Sequence, residues 1–263
     1  MSKKITQLVA LVTYANVSLQ RHDFDLEPYI AEYCYGIELV YRPAREIAGT
    51  TQIIAPDATK WYDYIIGQDA KRVKLRHQSS SSTELPDYIT EAFTGGGSDW
   101  FIEVQFPEKS ELYLHGWVPE GGTVQNPWKT PLVQLGSDLV PLEDLAPSCE
   151  ESRNRLGEVL DRLIEFASQF EHSKHWVANF ENSRKTLSEF EPTTSDEFIP
   201  AGIYPKQARQ LIEAAFRSWV FGGMGSWTDM AFSGEHQDTY MSLTEQLYST
   251  LCQALVSAVN SYP

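Results

Sequence analysis

Paired cysteines, basic residues and long apolar runs are all scarce in this chain. Its three cysteines, Cys34, Cys149 and Cys252, lie far apart with no Cys-x-x-Cys pair. That argues against a disulfide framework and for reduced thiols in a cytoplasmic protein. Lysine and arginine together number 21 against 36 aspartates and glutamates, a net charge of −15 over 263 residues. Such a balance repels nucleic acid and anionic membranes and favours a basic partner, although acidic surfaces are also common in soluble bacterial proteins. No run approaches the roughly eighteen apolar residues that span a bilayer. Lys3 and Lys4 precede Ile5 to Leu11, but Thr6 and Gln7 interrupt the run and no small-residue cleavage site follows, so a helix is expected there rather than a signal peptide.

Signatures of chemistry are missing too. There is no Gly-x-Ser-x-Gly elbow, no His-Glu-x-x-His pair and no Gly-Lys-Ser/Thr phosphate loop. His172 and His175 are spaced to share a helical face, but no acidic or thiol ligand is forced beside them, and an exposed helix junction fits them better. His115 reads as a structural group on a strand. His236, between Glu235 and Asp238, reads as part of a helix start. Nothing in the sequence asks for a metal or a cofactor, and no catalytic residue is identified.

What is present divides the chain in two. Residues 1–146 read as a mixed region: a helix over 5–20, a short helix from Leu26 to Tyr33, and strands over Gly36 to Tyr41 and 51–54. A helix from Pro56 to Ile66, another from Ser82 or Thr83 to Phe93, and a β-hairpin over 100–118 follow. The basic cluster Lys71, Arg72, Lys74 and Arg76 is expected in a solvated loop, engaged in internal salt bridges; 119–131 is expected to be a long loop. Residues 147–263 read as helical, with segments over Glu150 to Phe170, Ser173 to Phe190, Pro205 to Trp219 and Asp238 to Asn260, each carrying an apolar stripe. The fold class is therefore α+β.

The most unusual stretch is Phe216 to Met230, with two tryptophans and the glycines Gly222, Gly223 and Gly225. These glycines follow a helix rather than a strand, which favours a helix-ending turn with positive φ over a phosphate loop. As a binding surface the stretch would use Trp219, Gly222, Gly223, Gly225, Trp227 and Asp229.

The run Phe216-Arg-Ser-Trp-Val-Phe-Gly-Gly-Met-Gly-Ser-Trp-Thr-Asp, with Tyr240 and Glu245-Gln-Leu-Tyr248 after it, resembles an uncharacterised bacterial domain family with a Phe-Gly-Gly-Met-Gly-Ser-Trp signature, over residues 203–262. The resemblance carries no catalytic residues with it. By analogy of style the chain is also similar to the immunity proteins of bacterial toxin systems, which are acidic, cytosolic and non-catalytic. The expected function is a non-catalytic protein-binding module with a basic protein partner. The alternative is an enzyme whose site lies near 222–236, with Trp227, Asp229 and His236 lining a cleft.

Overall fold

The computed structural model describes residues 3–20, 39–41, 52–79, 85–94, 99–116, 130–191, 199–200, 202–222 and 224–263. The first helix, α1 (Lys3–Gln20), has no solvated face: from Ile5 to Ser18 every residue is buried. Apolar residues all round a helix require surroundings on every side. Its polar residues are handled locally, Thr13 Oγ1 donating to the Val9 carbonyl at 2.6 Å and Ser18 Oγ to that of Tyr14 at 2.8 Å.

Six strands follow the same logic of alternation. They are β1 (Leu39–Tyr41), β2 (Gln52–Ala55), β3 (Arg72–Gln78), β4 (Asp99–Gln105), β5 (Ser110–His115) and β6 (Leu132–Leu139), in the order β2-β1-β6-β5-β4-β3. Strands β3 to β6 form an antiparallel meander, and β1 adds to it by pairing parallel with β6. One face, carrying Val73, Leu75, Trp100, Ile102, Val104, Tyr113 and Leu132, is sealed. On this side lie α1 and α2 (Ala58–Gly67), the latter capped by Asp57 accepting from the Lys60 N–H at 2.8 Å and packing Trp61 on Tyr113; α3 (Asp87–Thr94) joins α1 through Glu91 and Lys4, 3.4 Å apart.

The remainder is helical: α4 (Cys149–Ser168), α5 (Lys174–Glu189), α6 (Lys206–Arg217), a 3-10 turn at Trp227–Asp229, and α7 (Glu235–Val259). Ser148 and Glu151 close a capping box at the start of α4, and the stripe Leu156, Leu160, Leu163 and Ala167 is buried. The fold is α+β, strands confined to the first part of the chain and helices filling the second. The two parts share one apolar core. Polar bonds cross between them as well, Thr13 Oγ1 lying 2.9 Å from the Tyr204 hydroxyl and the Arg72 guanidinium donating to the carbonyls of Asn260 and Tyr262 at 2.7 and 2.6 Å.

Three expectations change. Residues 71–77 are not a solvated loop; they form β3, because Val73 and Leu75 alternate with the charged residues and are fully buried. The salt-bridge role expected of that cluster holds for Lys74 and Arg76, described below, and for Lys71, which meets Asp69, whereas Arg72 bonds backbone carbonyls. A strand absent from the sequence reading, β6, completes the meander. Helix α6 stops at Arg217, so Trp219 lies beyond it. The expected helix from Leu26 to Tyr33, the loop at 119–129, residues 36–38 of the first strand and the glycines ending α3 lie outside the described residues.

Candidate functional site

The Gly/Trp stretch is built as a packed turn. Trp227 is fully buried, with its ring 5.2 Å from Phe180 and 5.3 Å from Tyr240, and its indole N–H donates to Thr244 Oγ1 at 2.9 Å. The Tyr240 hydroxyl returns a bond to the Trp227 carbonyl at 2.7 Å. Ser226 Oγ and Thr228 Oγ1 both donate to the Gly222 carbonyl, at 3.0 and 3.2 Å, and Asp229 accepts from the Gly225 N–H at 2.5 Å. The polar side chains available for chemistry are therefore bonded to the turn itself. Positive φ falls at Gly225 (83°), and Gly223 lies outside the described residues. Trp219 is buried against Phe221 and Tyr248 rather than displayed. Of the six residues expected to make a binding surface, Gly225 and Asp229 are exposed and Gly222 is partly so.

The histidines are dispersed. His172 and His236 sit on the surface against Phe170 and Phe232, and His175 lies tilted beside Trp176. His115 is buried on β5, its Nε2 2.9 Å from Gln7 Oε1, and burial with the nearby Lys4 charge lowers it to about 3. Among the described residues no group of three or more histidines, cysteines or carboxylates is placed to hold a metal ion.

A different surface emerges from the second face of the sheet. Cross-strand pairing sets Phe101 opposite Leu114 and Leu114 opposite Val133, on the side away from α1, and all three are only partly buried. At the end of β6 the segment 139–147 lies along this face, and apolar side chains stand out from it: Val140 is 83 % exposed, Leu142 45 % and Leu145 86 %. Leu135 adds to the same border beside the register shift between β5 and β6. Gly136 allows the chain to turn there, since a Cβ would come within 3.1 Å of the Leu139 side chain.

A buried ion pair pins this segment. Glu103 on β4 is completely enclosed and accepts from Arg76 Nε and Nη2 at 2.8 and 2.6 Å, from Ser110 Oγ at 2.9 Å and from the Leu142 N–H at 2.9 Å. Burial alone would raise the Glu103 carboxyl; the Leu142 N–H, Arg76 and Ser110 outweigh it and hold the group below its ordinary value. Arg76 reaches on to the Leu142 carbonyl and to Asp144, which also meets Lys74 at 2.5 Å. Lys74 and Arg76 of the basic cluster thus work as an internal clamp. Between the clamped segment, the sheet and α7 runs a groove of about 520 Å³, floored by Phe101 and Leu112 and walled by Leu142, Leu145, Pro147 and Val256.

Comparison with known proteins finds no matching family model, no similar curated protein and no similar solved structure. The Phe-Gly-Gly-Met-Gly-Ser-Trp resemblance rests on its residues alone.

Proposed function

We propose that this chain is a soluble, acidic, non-catalytic protein-binding module of the immunity type, working in a bacterial cytoplasm on a basic protein partner. The observation that carries the reading is the outer sheet face, where Phe101, Leu114 and Val133 remain partly exposed beside Val140, Leu142 and Leu145. A contiguous apolar patch bordered by polar residues is the usual mark of a protein-docking surface. The net charge of −15 supports a basic partner over a second copy of the chain, since two copies would repel one another and a basic protein would be drawn in.

Two variants on the exposed border test the reading. Val140→Asp and Leu135→Asp sit where a charge costs little in the free protein, so their melting temperatures should stay close to that of the parent. Cross-linking in extract of the native host, read by mass spectrometry, should recover a basic protein at one-to-one stoichiometry with the parent and not with the double variant. Recovery of no stoichiometric partner, or of the same partner by both, sinks the proposal.

A further inference from the structure

We infer that the groove beside β3 takes an extended peptide segment of the partner, one alternating bulky apolar and basic side chains and adding its backbone to the open end of β3. The inference rests on the protein-binding reading and assigns the peptide chemistry that the groove selects.

The edge strand itself carries the argument. Strand β3 ends the sheet, so its odd-numbered residues direct N–H and C=O groups away from β4. Two of these rungs are closed by asparagine side chains: Asn16 bonds the Val73 N–H and C=O at 2.9 and 2.8 Å, and Asn260 bonds those of Leu75 at 2.8 and 2.9 Å. The next outward rung along the strand is His77. No described residue closes it, and His77 lines the groove with Gln78 and Ser79. A rung that no described residue closes, at the end of a capped edge, is where an added strand can register, the main chain giving affinity and alternate side-chain pockets giving specificity.

The walls define the side chains. Phe101, Leu112, Leu142 and Leu145 offer an apolar cleft of a size for one or two branched aliphatic side chains. The described charged residues lining it are Arg76, spent on Glu103 and Asp144, and Glu143, an exposed carboxylate with no ion pair among the described residues. A lysine or arginine next to the apolar anchor would pair with Glu143, in keeping with the acidity of the whole chain. A nucleic acid or an acidic peptide would meet that carboxylate with like charge.

The test uses the full chain and a short fluorescein-labelled peptide alternating lysine with valine and leucine. Three controls accompany it: the peptide with glutamate for lysine, the peptide N-methylated at alternate amides, and the protein variants Glu143→Lys and Leu145→Asp, both at exposed positions. Anisotropy should show saturable binding of the lysine peptide alone, weakened about tenfold by either variant, the scale of one lost contact at such a surface. Hydrogen exchange at the His77 amide should slow on binding. Absence of saturable binding, equal binding by the variants or the N-methylated peptide, or unchanged exchange at His77 overturns the inference. The Leu135→Asp, Val140→Asp double variant separates the two readings. If it loses the host partner while the groove variants keep it, the module stands and the groove assignment falls.

Discussion

Asn260 meets Leu75 as a neighbouring strand would: its Oδ1 accepts the Leu75 N–H at 2.8 Å and its Nδ2 donates to the Leu75 carbonyl at 2.9 Å. Asn16 does the same for Val73. A primary amide presents its carbonyl acceptor and one of its two N–H donors side by side, so one asparagine can close both backbone groups of a strand rung. Asn260→Ala should leave both backbone groups of Leu75 without a partner and cost about 2 kcal/mol. The checks are denaturant unfolding and faster amide exchange at Leu75; unchanged exchange would show that the cap does not protect the edge.

Glu103 holds the segment after β6, so its loss should be felt there first. Glu103→Ala leaves the Arg76 guanidinium, only 11 % exposed, with Asp144 as its remaining carboxylate beside the backbone carbonyls of Leu142 and Glu143. Breaking such a pair costs about 3–5 kcal/mol. Cleavage by a protease within 139–147 should accelerate more than cleavage elsewhere. Uniform acceleration would mean that the whole fold loosens and that the clamp is not local.

Two histidines make the fold acid-sensitive. Burial, then the Lys4 charge, lowers His77 to about 4 and His115 to about 3. An unfolded chain takes up these protons near pH 6.5, while the native chain refuses them until much lower pH. The native state therefore binds fewer protons in that window and loses stability as pH falls below 6.5, by about 2 kcal/mol per histidine at pH 5. Glu91, raised by burial, acts in the opposite sense and offsets part of the loss. Denaturant unfolding at pH 7 and pH 5 measures the total, and His77→Gln should shrink the difference between them. An equal difference in parent and variant would remove His77 as a cause.

The Gly/Trp turn distinguishes its glycines. Gly225 has φ of 83°, with nothing within 4 Å of an added Cβ, so Gly225→Ala is penalised by backbone conformation alone, about 1–2 kcal/mol. Gly222→Ala, whose nearest neighbour would be Ser226 Cβ at 3.8 Å, should be close to neutral. Asp229→Ala, losing the bond from the Gly225 N–H, should lower the melting temperature. Thermal melting of the three variants checks the order, and an Asp229→Ala protein as stable as the parent would contradict an architectural role for that carboxylate.

Helices α4 to α7 were legible in the sequence because their signals are local. Ser148 with Glu151, Pro205 at a helix entry, and leucines three or four apart each lie within a few residues of the backbone they govern. The hairpin of β4 and β5 was legible for the same reason. Strand β6 was not, since its alternation covers few residues before the irregularity at Leu135 and Gly136, and one inward position is the polar Gln134. In β3 the alternation was present, but its charges suggested solvent; Glu103 and Asp144, which neutralise them, lie tens of residues away. The groove was invisible for a related reason, as its walls come from β3, β4, β5, the segment after β6 and α7. No spacing within the chain could have announced it. The aromatic turn, conspicuous in composition, proved to be conspicuous packing.

The asparagine caps also set an order of events. The Asn16 amide lies 57 residues before the backbone it closes and is made first, whereas Asn260 lies 185 residues after its own and is made later. A growing chain must therefore carry β3 with its Leu75 rung open while the 185 residues up to Asn260 are made. Any strand-forming segment nearby can compete for that rung until α7 arrives. The C-cap of α7 completes a sheet to which that helix contributes no strand.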